Sequence, residues 1–232
     1  MNNAIEYLHH RIIVSCQAPI DSPLYHPSVI AAMAQAAVNG AAGVRIDTPN
    51  HIIAVRQKVN VPIIGLWKQV IDGYDVYITP QFRHAQAIAK AGADIVAIDA
   101  TQINRPGEET LKDIITKIHQ QLGKPVMADV DTIESAIAPG SAGADIVSTT
   151  LFGYTTATKH LFPPGFTLLS QMLKELDIPV FCEGDISSPQ MACQALELGA
   201  YAVVVGTAIT GVDFLTKAYA QAVNKSNPYI KN

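Results

Sequence analysis

The chain has no basic stripe and no acidic block. Only 16% of its 232 residues are charged and the formal net charge is −4, with Lys and Arg scattered, so nucleic acid finds no electrostatic footprint. No apolar run approaches the ~20 residues of a membrane-spanning helix. Met1-Asn2-Asn3-Ala4-Ile5-Glu6 lacks the basic and apolar regions of a signal peptide, so a cytoplasmic setting is expected, without a membrane partner. Cysteine is scarce: Cys16, Cys182 and Cys193 make no disulfide framework, and the first two fall inside apolar runs where a small buried thiol fits. The seven histidines show no metal-ligand spacing with a carboxylate beside them, and none ends a strand; neither a catalytic metal nor another cofactor is expected. Linkers and low-complexity segments are missing too, so residues 1–232 read as one domain with one core.

What is present is a repeat. A glycine followed by an apolar run and a polar or glycine stop occurs four times: Gly40 to Asp47, Gly92 to Asp99, Gly143 to Thr149 and Gly199 to Gly206. The leading glycines fall at intervals of 52, 51 and 56 residues (40 to 92, 92 to 143, 143 to 199). Glycine just past a helix end adopts the left-handed conformation without a Cβ clash. The Val/Ile run after it suits a strand buried on both faces. Between the copies lie three runs that open on proline: Pro62 to Leu66, Pro125 to Ala128 and Pro179 to Cys182. Proline at a strand's first residue breaks no ladder hydrogen bond. With Arg11 to Cys16 the chain has eight strands separated by helical stretches, which predicts a closed (β/α)8 barrel, the TIM-barrel architecture. An open doubly wound sheet is the alternative.

Thr48-Pro49, Thr79-Pro80 and Ser188-Pro189 read as helix starts, a capping hydroxyl before a first-turn proline. Asp131-Thr132-Ile133-Glu134 reads as a capping box headed by Asp131. Two connections are long, Trp67 to Ile78 and Thr150 to Gly165, and the second is a candidate lid.

In such a barrel the active site is built where strands run out into the loops that lead to helices. Those positions carry Gln17, Arg45, Asp47, Lys68, Asp99, Asp129, Thr149, Glu183 and Gly206-Thr207. Asp47 and Asp99 serve either the site or the cap of the next helix. Asp129, with Asp131 read as the cap, is free for the site. Arg45 ends an apolar strand and must pair with a ligand or with a carboxylate such as Asp47, because a lone buried charge is costly. Lys68 and Glu183 form either a weak rim salt bridge or an acid–base pair, since a lysine in a water-poor mouth loses its charge more easily and a facing carboxyl can return the proton. The glycine turns Glu183-Gly184-Asp185 and Val205-Gly206-Thr207 follow strands seven and eight, the usual phosphate cradle of this fold.

The phrases Ser15-Cys16-Gln17-Ala18, Gly43-Val44-Arg45-Ile46, Pro62 to Lys68, Met127-Ala128-Asp129, Gly153-Tyr154-Thr155, Glu183-Gly184 and Val205 to Thr210 together resemble the N-acetylmannosamine-6-phosphate 2-epimerases of sialic-acid breakdown. The resemblance spans nearly the whole chain. It implies a cytoplasmic, metal-free barrel, a homodimer, and a sugar phosphate as the only small-molecule partner. It implies Lys68 as catalytic base and Glu183 as its acid/base partner. It implies Gln17, Arg45, Asp129, Tyr154 and Thr155 at the sugar, and Gly184, Gly206 and Thr207 at the phosphate. Two departures fall on the phosphate side: Gly211-Val212 stands where an Arg-Pro pair is expected, and Asp185 where a basic or neutral residue is expected. Another phosphate-binding barrel isomerase or synthase, or a non-catalytic sugar-phosphate sensor, is the alternative.

Overall fold

In the computed structural model, which describes residues 3–225, eight parallel strands close on themselves in sequence order, each paired with the next and the last with the first. They are β1 (Ile12–Ser15), β2 (Gly43–Asp47), β3 (Ile63–Leu66), β4 (Ile95–Asp99), β5 (Val126–Asp129), β6 (Ile146–Ser148), β7 (Val180–Cys182) and β8 (Ala202–Val205). All eight coincide with the runs read from the sequence. Met1, Asn2 and residues 226–232, part of the expected single domain, lie outside the described residues. The helices are α1 (Asn3–Tyr7), α2 (Pro27–Ala37), α3 (Pro49–Arg56), α4 (Phe82–Lys90), α5 (Leu111–Lys117), α6 (Ile133–Ala142), α7 (Phe166–Glu175), α8 (Pro189–Glu197), α9 (Thr207–Thr210) and α10 (Val212–Lys225).

Side chains alternate across a strand, and here the alternation divides two cores. Ile13, Ile64, Leu66, Ile95, Met127, Ile146, Phe181 and Val204 fill the barrel, with Ile5 and Leu8 at its lower end. Val14, Val44, Ile46, Ile63, Val96, Val126, Val147, Val180 and Val203 face the helices. Gly65 is one of the outward positions. A Cβ there would stand 2.6 Å from the Ala93 Cβ and 2.9 Å from Ile52 Cδ1, so its missing side chain sets how closely the helix layer approaches β3.

The punctuation matches the sequence reading in part. Gly92, Gly143 and Gly199 have φ of 109°, 96° and 107°, whereas Gly40 is not among the positive-φ glycines. Thr48 and Ser188 cap α3 and α8 as expected. Asp131 does not cap α6: the Thr132 hydroxyl accepts from the Ser135 N–H instead. Thr79 does not cap α4 either. That helix starts at Phe82, and the Thr79 hydroxyl accepts from the Trp67 N–H at 3.0 Å. A hairpin inside the connection from β3 to α4 claims that hydroxyl: Lys68 bridges Ile78 antiparallel, and the Thr79 N–H donates to the Trp67 carbonyl at 2.9 Å.

Candidate active site

Counting outward by two along each strand places the chemistry. In β3 the inward positions are Ile64, Leu66 and then Lys68; in β5, Met127 and Asp129; in β7, Phe181 and then Glu183; in β2, Gly43, Arg45 and Asp47. β3, β5 and β7 bury apolar residues in the barrel, and all four strands lead out to a polar one at the same mouth. The result is a cavity of about 360 Å³ above the packed interior, walled by Gln17, Arg45, Lys68, Tyr77, Thr150, Tyr154, Glu183, Gly184, Gly206 and Thr207, among others.

Arg45 is the hub, and it is 3% exposed. Its Nη1 donates to Glu183 Oε1 and its Nη2 to Asp129 Oδ2, both at 2.5 Å. Asp47, the partner raised from the sequence, instead accepts the Lys68 N–H at 2.9 Å and fixes where the lysine leaves the strand. Thr150 ties the two carboxylates together: its hydroxyl donates to Asp129 Oδ1 at 2.6 Å and lies 3.2 Å from Glu183 Oε2. The Thr149 hydroxyl holds the Glu183 backbone, accepting from its N–H at 3.0 Å and donating to its carbonyl at 2.7 Å. Across the mouth, Lys68 Nζ donates to Gln17 Oε1 at 2.7 Å, and Gln17 Nε2 donates to Ser15 Oγ at 2.9 Å.

Two of the residues expected at the sugar do not wall the cavity. Asp129 is fully buried beneath Arg45 and does not wall the cavity. The job that the sequence did not reveal is structural: one guanidinium at the end of an apolar strand needs a buried counter-charge. Thr155 is turned away, its hydroxyl donating to Asp131 Oδ2 at 2.7 Å. That contact also accounts for Asp131, whose carboxylate anchors the long loop after β6. Of the expected residues of that loop, Tyr154 reaches the cavity. Asp99 proves to be an organiser, accepting the Thr101 N–H at 3.0 Å and the Tyr77 N–H at 3.4 Å.

A search with family models matches residues 30–225 to the one described as "Putative N-acetylmannosamine-6-phosphate epimerase". Two cyanobacterial proteins named "Putative N-acetylmannosamine-6-phosphate 2-epimerase" are similar along almost their whole length. The one from Thermosynechococcus vestitus is 61% identical over 91% of this chain and 92% of its own. The one from Synechococcus elongatus is 56% identical over 92% and 93%. Among solved structures, the N-acetylmannosamine-6-phosphate 2-epimerase from Clostridium perfringens superposes with a TM-score of 0.90, at 38% identity, over 94% of this chain and 95% of that one. The chain belongs to the N-acetylmannosamine-6-phosphate 2-epimerase family.

The electrostatics of the mouth divide its groups by protonation. Burial works against the Arg45 charge, but Asp129 and Glu183 more than offset it, so the guanidinium is held charged. Asp129 is pushed up to about 7, by burial first and by the nearby Glu183, against the pull of Arg45 and Thr150. Two carboxylates thus share one guanidinium, and a proton is readily kept within that group. Lys68 is open to solvent on its outer side but hemmed in by the mouth. Burial lowers its pKa below the ordinary lysine value and Arg45 adds to this, while Asp47, Glu183 and Asp129 oppose it. A lysine poised in this way can act as a base.

The phosphate side matches its departures from the family pattern. Gly184, Gly206 and Thr207 border the cavity, and so do Asp185, Gly211 and Asp213. The cationic side chains on its wall are Arg45 and Lys68. At position 211 a Cβ would lie 2.7 Å from the Thr207 carbonyl oxygen, so this backbone excludes an arginine there. Asp185 has φ of 49°, a left-handed turn that aspartate tolerates better than most residues. Among the described residues no group of three or more His, Cys, Asp or Glu is placed to hold a metal ion.

Among the members of the site that sequence reasoning missed are Thr150 and Tyr77. Thr150 is one residue past the expected strand end at Thr149, and period-two counting along β6 from Ile146 through Ser148 would have found it. Tyr77 sits on the return strand of the hairpin, a stretch without apolar periodicity.

Proposed function

We propose that the chain interconverts N-acetylmannosamine 6-phosphate and N-acetylglucosamine 6-phosphate by removing and returning the C2 proton, in the breakdown of amino sugars. The observation that carries this reading is the convergence, at one cavity, of a lysine with a depressed pKa and a carboxylate from a distant strand, Lys68 and Glu183. The substrate name comes from the family. The C2 hydrogen is acidic only beside a carbonyl, so the sugar ring opens first. Neutral Lys68 takes the proton from one face and Glu183 delivers a proton to the other, which inverts C2 without turning the substrate. The Arg45–Asp129–Thr150 group keeps the Glu183 carboxyl in place and supplies the local proton store. Gln17 and Tyr154 meet the sugar hydroxyls. Gly184, Gly206 and Thr207 bring backbone N–H groups to the phosphate. Asp185 and Asp213 then place most of the burden of anion binding on those N–H groups.

The assignment is tested with purified protein and N-acetylmannosamine 6-phosphate in D₂O, followed by NMR at C2. Deuterium enters as the 2-epimer forms. Lys68→Ala and Glu183→Gln each reduce turnover by ~10²–10⁴-fold, the usual contribution of a positioned acid or base, with the folded state retained. Turnover by Lys68→Ala at the wild-type rate removes the lysine from the mechanism.

The setting and assembly belong to the same proposal. No helix among the described residues is long and apolar enough to cross a membrane, and all three cysteines are unpaired, which suits a reducing cytoplasm. The working unit is a homodimer. Helix α10 has no buried residue, and Val212, Phe214, Tyr219 and Val223 on it are each more than half exposed. A second copy of the same face is the cover that symmetry makes available.

A further inference from the structure

Once the roles above are assigned, one polar group in the mouth is left without a task. Tyr77 walls the cavity beside Arg45 and Lys68. Its ring packs on the barrel-interior core. Its backbone is clamped on both sides: the Tyr77 N–H donates to Asp99 Oδ2 at 3.4 Å, and its carbonyl accepts the Gln69 N–H at 2.9 Å. The next residue is held as well, the Ile78 carbonyl accepting the Asp99 N–H at 2.8 Å. The phenol lies within the fields of Asp129, Arg45, Asp99 and Glu183, yet its hydroxyl makes no hydrogen bond among the described residues. A rigid platform thus places an unused donor at the wall of the cavity that also holds the acid–base pair.

The reaction needs such a donor. When C2 loses its proton, the C–H electron pair becomes the C1–C2 π bond and the carbonyl π pair moves onto O1, which turns anionic. A preorganised donor at that oxygen is worth more than one that must reorient. Arg45 is committed in part to other work: each terminal nitrogen gives one N–H to a carboxylate, Glu183 or Asp129, and its unpartnered Nε–H is buried. Lys68 must be neutral to act as base. Tyr154 stands at the rim, 57% exposed. We infer that Tyr77 is a further catalytic residue of the proposed epimerisation, its hydroxyl donating a hydrogen bond to the sugar O1 as that oxygen becomes an enolate. Tyr77 keeps its proton throughout. Glu183 delivers a proton to the opposite face of C2, the carbonyl re-forms, and no further acid or base enters the balance. Burial, with Asp129, Asp99 and Glu183 adding to it, pushes the phenol up to about 12, against the opposing charge of Arg45. The group therefore remains a donor over the whole working pH range.

The inference rests on the epimerase reading, and the experiment separates the two. Wild type and Tyr77→Phe are compared for kcat, KM and deuterium entry at C2 with N-acetylmannosamine 6-phosphate. Removing one oxygen from a packed ring predicts a fall in kcat of ~10²-fold, a parallel fall in exchange, and a KM within a factor of about two or three, as expected when an interaction is made only in the transition state. A second variant carries 3,5-difluorotyrosine at 77, whose more acidic phenol ionises earlier. Its pH–rate profile falls off at lower pH on the alkaline side than that of wild type, a change that a purely structural ring would not produce. It also keeps the ring and the hydroxyl if Tyr77→Phe folds poorly. A wild-type kcat in Tyr77→Phe, a loss confined to KM, or a difluorotyrosine profile identical to wild type overturns the inference and leaves the epimerase reading standing. A wild-type protein that exchanges no deuterium into the sugar phosphate overturns both.

Discussion

Lys68 and Asp47 show how a site tunes one group against another. The Lys68 N–H is held by Asp47 Oδ1, and the same carboxylate is the strongest charge opposing the desolvation that lowers the lysine pKa. Asp47→Asn retains an oxygen to accept that N–H and removes the charge. The sign follows directly. With the negative neighbour gone, the ammonium is less favoured and the Lys68 pKa falls further. The ascending limb of kcat/KM against pH, which reports the free base, therefore moves to lower pH in Asp47→Asn. A limb that moves to higher pH, or stays fixed, means that it belongs to another group. The same residues mark what could be read beforehand. That Lys68 and Glu183 face one mouth followed from strand ends alone. That Asp129 sits under Arg45 and off the cavity wall did not, because a carboxylate that binds a ligand and one that neutralises a buried guanidinium occupy the same strand-end position. The pairing partner was on another strand, and only the closed register brings Arg45 between β5 and β7.

At the scale of elements, the legible features were those fixed by local chemistry. Strand existence followed from eight apolar runs, seven of them opened by glycine or proline, and the capping hydroxyls of Thr48 and Ser188 needed no tertiary information. The failures had tertiary causes. Thr79 was claimed by the Trp67 N–H across a hairpin, and Asp131 by the loop through Thr155. Two substitutions separate these roles. Thr132→Ala removes the observed cap of α6 and costs ~0.5–2 kcal/mol of unfolding free energy, whereas Asp131→Asn leaves that cap intact and costs the helix little. Equal losses in chemical denaturation would show the cap to be shared. Gly65 makes a sharper demand. Its would-be Cβ collides with Ala93 and Ile52, so Gly65→Ala overpacks the layer between β3 and its helices and costs ~1–3 kcal/mol, read as a lower denaturation midpoint at unchanged slope. A neutral Gly65→Ala would mean that the layer gives way more easily than its packing suggests.

The whole molecule poses the question that its own barrel does not answer. Each strand of a (β/α)8 barrel is followed by a helix that buries an apolar stripe, and the sequence was expected to supply the last one after β8. It does so in pattern, as α10, but no residue of that helix is buried. Phe214 at its start also walls the catalytic cavity, beside Asp213, which accepts a hydrogen bond from Ser22 Oγ at 3.0 Å. A dimer formed through α10 would therefore do two things at once: cover Phe214, Tyr219 and Val223, and brace the rim on the phosphate side. The double substitution Tyr219→Asp and Val223→Asp lies one to three turns away from that rim and disturbs no packing within the chain, so the isolated barrel folds as before. Light scattering coupled to size exclusion is expected to give twice the chain mass for wild type and the single-chain mass for the double variant at micromolar concentration. If the rim is braced from across the interface, the variant also shows a raised KM for the sugar phosphate with kcat less affected, because the loss falls on anion binding and not on proton transfer. A double variant that stays dimeric would place the interface on another surface. A monomeric variant with unchanged KM would separate assembly from the active site.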